Sequence, residues 1–270
     1  MCATLPSTGV LDICVNIGAQ PITLRTTDRA FGNLLKARYS KFLGDPPASG
    51  VTFDIDLTEA RPSSDRDIEV SGGGTHWSLE RGDFNAEWDF ETLSGSISQS
   101  PNPYSIDSLL RVVHTLMLAR EGGFLLHSAS AVRNGNAFLF SGLSGAGKTT
   151  ISRLAPKDAE LLTDEISYVR HLGGSYRAFG TPFAGELGRP GANISAPVTA
   201  LYFLRKAPTN SIEPVQPGDA LRLLMRNVLF FSHDPTHVQL VFEAACAFVS
   251  ALPVFWLSFF PDRRVWEVIG

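Results

Sequence analysis

The stretch NAFLFSGLSGAGKTT, residues 136–150, decides the fold, because an apolar run passes directly into a glycine-rich loop. Residues 142–149 match the pattern G-x-x-x-x-G-K-[ST] at every fixed position. The fixed positions are Gly142, Gly147, Lys148 and Thr149. A glycine-rich turn that binds nothing is the alternative, but the preceding strand and following helix disfavour it. The glycine spacing also differs from the dinucleotide fingerprint G-x-G-x-x-G. The stretch therefore predicts a strand, a phosphate-binding loop and a helix.

Each residue type in this loop has a physical role toward a nucleoside triphosphate. Glycines let the backbone curl until successive N–H groups point inward at phosphate oxygens. The helix that follows places the positive end of its dipole against the same anion. Lys148 is expected to reach the β- and γ-phosphates, and the Thr149 hydroxyl to ligate Mg²⁺. We therefore expect nucleoside triphosphate binding at this loop.

An acidic pair follows the loop closely. In LLTDEISYV, residues 161–169, Asp164 and Glu165 come directly after a short strand. Lys148 and Asp164 are 16 positions apart, which leaves room for one short helix and a return strand. If the two strands pair directly, their ends lie about 5 Å apart. A carboxylate there can bind Mg²⁺ or accept the proton of an attacking hydroxyl, whereas the alternative is a solvated surface pair.

Other polar residues in this half are weaker candidates. His127 lies on the strand whose hairpin partner leads into the loop, although an ordinary structural histidine is the favoured interpretation from sequence alone. Arg189 lies in the glycine-rich segment 185–195, where it could stabilise charge on a transferring phosphoryl group or be a surface turn residue. Glu186 is a similar, weaker candidate, and Lys206 is interpreted as a solvated charge at a strand end.

The pattern of strand-like and helix-like segments divides the chain into a β-rich lobe, residues 1–104, and an α/β part, residues 105–270. In the second part strands alternate with helices, and Asn134-Gly135 is a strong hairpin signal. The first part has short alternating runs and one helix, predicted over 28–43. Four aromatic residues of this lobe form either a peptide-docking surface or simply its core. They are Trp77, Phe84, Trp88 and Phe90.

Composition excludes several classes of function. The net charge of −4 and the pI near 5.9 argue against nucleic-acid binding. Three scattered cysteines, Cys2, Cys14 and Cys246, favour a reducing compartment without a disulfide framework. The N-terminus lacks a signal-peptide pattern, and the apolar segment 244–260 is short and divided by Pro253. We expect a cytoplasmic protein that does not bind membranes. The sequence is compatible with a homo-oligomer.

Three segments together resemble a known group. LLHSASAV (125–132), GLSGAGKTT (142–150) and LLTDEIS (161–167) resemble the catalytic domain of the HPr kinase/phosphorylase superfamily. That group shares fold features with phosphoenolpyruvate carboxykinases, and it phosphorylates a serine hydroxyl of a protein or peptide with ATP and Mg²⁺. The resemblance covers roughly 122–270. It implies an α/β kinase-like domain of this type, with residues 1–104 as a smaller β-rich N-terminal lobe.

Carried over by position, the resemblance implies a role for each candidate residue. Asp164 would be the general base toward the substrate serine, Glu165 a metal ligand or a supporting carboxylate, and His127 would lie near the γ-phosphate or orient Asp164. Arg189 keeps the role expected from its glycine-rich segment, stabilising charge on a transferring phosphoryl group. Thr149, Asp164 and Glu165 are the implied Mg²⁺ ligands. The implied ATP-binding residues are Gly142, Ser144, Gly145, Ala146, Gly147, Lys148, Thr149 and Thr150.

Two departures from the family pattern bear on the substrate. HPr kinases carry Glu-x-Arg-Gly after the acidic pair, whereas this chain has Glu186-Leu187-Gly188-Arg189, and its first hundred residues differ from their N-terminal domain. The chain is more similar to HPr-kinase-related proteins associated with modified ribosomal peptides, including lasso peptide kinases. A non-catalytic nucleotide-binding regulatory or assembly module is the alternative, and a small-molecule or carboxykinase-like enzyme is a third.

Overall fold

The computed structural model describes residues 9–59 and 67–269, so Cys2 lies outside the described residues. The protein is a mixed α/β chain with two sheets, as the sequence predicts. It divides into two compact units, Met1–Leu109 and Leu110–Gly270, with the boundary at Leu109 rather than at residue 104. The division falls within a long helix, α2 (Pro103–Arg120).

The first unit contains a seven-stranded sheet. Its strands are β1 (Leu11–Ile17), β2 (Gln20–Thr26), β3 (Val51–Leu57), β4 (Glu69–Gly73), β5 (His76–Arg81), β6 (Phe84–Asp89) and β7 (Ser94–Gln99). They lie in the order β1-β2-β3-β7-β6-β5-β4. Helix α1 (Arg29–Arg38) begins where the Asp28 side chain accepts the Phe31 N–H, and a 3-10 turn over Ser40–Phe42 completes the segment predicted as helix.

Alternation along these strands decides which face is buried. In β6, Phe84, Ala86 and Trp88 are buried while Asn85 and Glu87 are exposed. Trp77 is buried in the same way, and Phe90 is partly buried. Because three of the four aromatic residues lie in the interior, they form the core of this unit rather than a docking surface.

The second unit contains an eight-stranded sheet and most of the helices. Its strands are β8 (Phe124–Arg133), β9 (Asn136–Ser141), β10 (Ala159–Thr163), β11 (Ile166–Leu172), β12 (Ser175–Phe179), β13 (Ser195–Lys206), β14 (Ser211–Pro214) and β15 (Val254–Phe259). Its further helices are α3 (Lys148–Arg153), α4 (Pro217–Met225), α5 (Pro235–Ala251) and α6 (Val265–Val268). The predicted hairpin is confirmed, since Asn134 and Gly135 join β8 to β9 with φ of 52° and 78°.

Strand β13 lies at the centre of this sheet and is buried on both faces. It runs parallel to β9 on one side and to β15 on the other. Alternate residues face opposite layers: Phe203 packs in the cluster that includes α5, whereas Tyr202 and Leu204 pack in the cluster that includes Ile151 of α3. Burial of each such large side chain stabilises the fold by roughly 1.5–3 kcal/mol.

Strand β8 lies between β9, which leads into the glycine-rich loop, and β10, which leads to the acidic pair. We expected those two strands to be able to pair directly, but β8 pairs with β9 on one side and with β10 and β11 on the other. Ser128 of β8 lies opposite Ser141, the last residue of β9, and its N–H donates to the Glu165 carbonyl (3.0 Å). The acidic pair and the loop therefore flank one residue of β8, about two strand spacings apart.

Among the described residues, no helix combines the length and the apolar character needed to cross a membrane.

Candidate functional site

The glycine-rich loop follows β9 and curls back over the first turn of α3. Gly142, Gly145 and Gly147 have φ values of 151°, 77° and 116°, in the region that favours glycine. A Cβ atom on Gly147 would stand 2.6 Å from the Phe259 ring, so this position has no room for a side chain. The loop therefore rests directly on the end of β15, and its glycines are required by conformation and by close packing.

The Lys148 side chain lies against the backbone of the loop. Its Nζ donates to the carbonyl oxygens of Gly142 (2.9 Å) and Leu143 (3.3 Å), which leaves one N–H for another partner. Burial lowers the pKa of Lys148, while the carboxylates of Glu165 and Glu186 oppose that shift. The ammonium group is thus held in place and faces two carboxylates across an open pocket.

That pocket measures about 420 Å³ and lies entirely in the second unit. Its lining includes most of the residues expected to bind the nucleotide, together with Asp164, Glu165 and His127. The lining residues are His127, Ser144, Gly145, Gly147, Lys148, Thr149, Thr150, Asp164, Glu165, Ala184, Gly185, Glu186 and Lys206. Gly142 and Ala146 belong to the loop backbone but are not among the residues that line the pocket; Ala146 N–H donates to the Leu143 carbonyl (3.0 Å).

Asp164 is buried at the edge of the pocket and holds the loop that joins β12 to β13. One of its carboxylate oxygens accepts the N–H of Gly185 (2.9 Å), and the other accepts the N–H of Leu187 (2.8 Å). Each oxygen retains a second lone-pair site. The contacts also fix the backbone of Glu186 between the two donors, so Asp164 positions a second carboxylate that lines the same pocket.

Glu165, in the bend between β10 and β11, and His127, on β8, both line the pocket with Lys148. The carboxylate of Glu165 is 3.9 Å from the guanidinium of Arg111, which in turn lies over the Phe183 ring. Burial lowers the pKa of His127, and the nearby charges of Lys148 and Arg111 lower it further. His127 is therefore neutral at pH 7 and has a ring nitrogen able to accept a proton.

Arg189 is not brought to this pocket. It is exposed on the loop between β12 and β13, and it is absent from the lining residues that the structure describes. Glu186, the weaker candidate, does line it, and so does Lys206, which the sequence analysis interpreted as a solvated charge. The parallel pairing of β13 with β9 was the signal for Lys206, because carboxyl ends of parallel strands meet at one edge.

No pre-assembled metal site stands among the described residues, where no group of three or more histidine, cysteine or acidic side chains could hold an ion. The expected Mg²⁺ ligands Thr149, Asp164 and Glu165 nevertheless line one pocket. Mg²⁺ is commonly bound by one or two carboxylates together with substrate phosphates and water. These residues fit a cation that arrives with a nucleotide.

The fold and the pocket define an α/β protein in which a glycine-rich loop, a lysine and an acidic pair share one cavity. Residues 98–270 match the family described as SynChlorMet cassette protein ScmC. This match spans more than half of the 270 residues and includes every residue that lines the pocket, so the chain belongs to the ScmC family. A search of curated proteins found no matching sequence.

Proposed function

We propose that this protein is an HPr-kinase-like enzyme that binds ATP with Mg²⁺ and transfers the γ-phosphate to a serine hydroxyl of a peptide or protein. The observation that carries the proposal is the shared pocket: Lys148 and Thr149 of the loop lie beside Asp164 and His127, two groups able to accept a proton. A protein that only binds nucleotide needs no base at this position. A ribosomally made peptide that undergoes modification is the acceptor we favour.

The charge of the pocket supports a requirement for Mg²⁺. Its described lining has three carboxylates and two ammonium groups, so it carries one excess negative charge before a nucleotide binds. A triphosphate placed there without a cation would meet Asp164, Glu165 and Glu186 at close range. Bound Mg²⁺ would supply the positive charge that offsets this repulsion.

In the proposed reaction, the loop N–H groups and Lys148 hold the triphosphate, and Thr149 with an acidic side chain would hold the Mg²⁺ that offsets its charge. Asp164 accepts the proton of the serine hydroxyl as its oxygen attacks the γ-phosphorus, and ADP leaves. Asp164 can do so only with the lone-pair sites left over from Gly185 and Leu187. His127, neutral at pH 7, is the second candidate for this proton.

A nucleotide-binding module without transfer activity is the second candidate function. The observation that favours it is the occupation of both Asp164 oxygens by backbone N–H groups, which is also what a structural carboxylate would show. In this alternative, nucleotide binding would change the order of the loop between β12 and β13 and so affect a partner protein.

The first experiment measures ATP affinity with and without Mg²⁺ for the wild type and for Lys148→Ala. We expect the variant to lose measurable Mg²⁺-dependent binding, because it lacks the loop's ammonium group. Lys157→Ala is the matched control, since Lys157 is exposed and does not line the pocket. Wild-type affinity in Lys148→Ala would contradict the nucleotide site. Binding without γ-phosphate transfer to any candidate peptide would favour the binding module.

A further inference from the structure

Lys206 ends the central strand β13 at the edge where the phosphate loop begins. Phe203 of β13 is in register with Ser141, the last residue of β9. Lys206 is three residues further along, beside the loop that continues from Ser141. On the other side, Lys206 is in register with Phe259, the residue whose ring packs against Gly147. Both neighbours place Lys206 next to the loop.

The alternation of β13 fixes the face on which Lys206 lies. Tyr202 and Leu204 face the layer that contains α3, and Lys206 continues this series two residues later. The Arg205 side chain lies on the opposite face of β13, and its guanidinium lies over the Trp256 ring, 3.3 Å from the ring centroid. Of the two basic residues that end β13, Lys206 is therefore the one on the loop side.

The pocket needs a cation besides Lys148 if it transfers phosphate. Negative charge must be stabilised on the transferring phosphoryl group and on the leaving oxygen. The Nζ of Lys148 has two of its three N–H groups engaged by the loop carbonyls. Arg189, the sequence candidate for this role, does not line the described pocket, whereas Lys206 does.

We infer that Lys206 contacts the terminal phosphate of the bound nucleotide and stabilises the charge that develops during its transfer. The inference rests on the proposed function, because it assigns a catalytic role within that reaction. Within that reaction Lys206 stabilises the charge on the transferring phosphoryl group, while Lys148 holds the phosphates in place. The reaction it serves moves the γ-phosphoryl group from ADP oxygen to the serine oxygen, and the serine proton goes to the base.

The test compares the affinity of two complexes that need no acceptor substrate. ADP with Mg²⁺ reports nucleotide binding, and ADP with Mg²⁺ and aluminium fluoride imitates the phosphoryl group in transfer. We expect Lys206→Met to bind ADP within about three-fold of the wild type but to lose about 10²-fold of the extra affinity given by aluminium fluoride, the typical effect of one lost donor. Lys206→Arg should recover most of that loss, and Lys157→Met should match the wild type.

The outcomes separate this inference from the proposed function. If Lys206→Met retains the full gain with aluminium fluoride while Lys148→Met binds neither complex, Lys206 has no such role and the nucleotide site remains. If Lys206→Met weakens both complexes equally, Lys206 acts in simple binding and the inference is overturned. Absence of ADP and ATP binding by the folded wild type contradicts the proposed function itself. Circular dichroism and a thermal unfolding curve for each variant establish that it is folded.

Discussion

The two units have buried carboxylates in different surroundings. In the first unit, Asp107 accepts hydrogen bonds from the Arg38 guanidinium and from the Tyr39 hydroxyl (2.6 Å), so its charge is matched by a cation and a neutral donor. In the second unit, the described hydrogen bonds to Asp164 come from backbone N–H groups, and Asp164 borders a pocket with two further carboxylates. The first arrangement fixes a structure, while the second leaves charge available for a ligand.

The loop that follows one parallel strand of the second unit accounts for this difference. Among the described residues both sheets have two parallel pairs, which in the first unit are β2 with β3 and β3 with β7. In the second unit β9, β13 and β15 run parallel, so their carboxyl ends meet and bring the loop, Lys206 and Phe259 to one edge. Ligand sites in sheets with parallel strands commonly form at that edge.

The strongest test of this contrast is Asp164→Asn. If Asp164 is the base, γ-phosphate transfer from labelled ATP to an acceptor peptide should fall by about 10²–10⁴, while ATP affinity stays within a few-fold. Hydrogen exchange of the Gly185 and Leu187 amides separates two causes of the loss. Unchanged protection supports a base, whereas faster exchange shows that Asp164 acts by holding the loop. Unchanged transfer would assign the proton to Glu165 or His127.

Asp107→Ala tests whether the buried carboxylate of the first unit has a structural role. Removing this carboxylate leaves the Arg38 guanidinium and the buried Tyr39 hydroxyl without their shared acceptor, and Arg38 is only 26% exposed. We expect the free energy of unfolding to fall by about 2–3 kcal/mol in urea titrations. ATP affinity of the folded variant should stay at the wild-type value. A loss of affinity without a loss of stability would show that the contrast between the two units is wrong.

Local signals in the sequence were sufficient for most elements of the second unit. The sequence placed β10, the Asn134-Gly135 hairpin, α3 and α5 close to their observed positions, because each has its own periodicity, turn or cap. It also identified the loop and the acidic pair that share the pocket. The kinase activity and its cofactors stay predictions, since neither the geometry nor the family match tests them.

Long-range pairing was the part that local signals could not give. The sequence allowed β9 and β10 to pair directly, but the length of β8 lets it hold β9 on one side and β10 with β11 on the other. Lys206 was interpreted as a solvated charge because only the parallel register of β13 shows its position. Arg189 fits the pattern of an active-site arginine in sequence, yet it is exposed and is not among the described residues that line the pocket.

The smallest predicted effect is a pH dependence of stability in the second unit, which also has a buried titratable group with a structural role. His114 is fully buried, its Nδ1 lies 3.0 Å from the Tyr168 hydroxyl, and burial, assisted by the charge of Arg170, lowers its pKa to about 3. The unfolded chain takes up a proton on this ring below about pH 6.5. Between these values the unfolded state binds more protons, so stability falls as pH falls.

Because of this histidine, we expect the free energy of unfolding to be about 2 kcal/mol lower at pH 5 than at pH 7.5. His114→Phe keeps an aromatic ring and removes the titration, so its free energy of unfolding should change less between these pH values. The measurement is urea unfolding of both proteins at each pH. His237, whose pKa burial lowers to about 4, adds a similar dependence to both proteins. Equal pH dependence in the two proteins would contradict the assignment to His114.

The contact of Lys148 with the Gly142 and Leu143 carbonyls has a kinetic and thermodynamic consequence. A loop already folded around its own ammonium group loses little conformational freedom when a phosphate arrives. If the loop binds a nucleotide as proposed, binding should then occur in one step at a rate proportional to the nucleotide concentration, without a slower closing phase at the loop. Because this segment is already ordered when the chain has folded, the heat of that binding would report the contacts themselves.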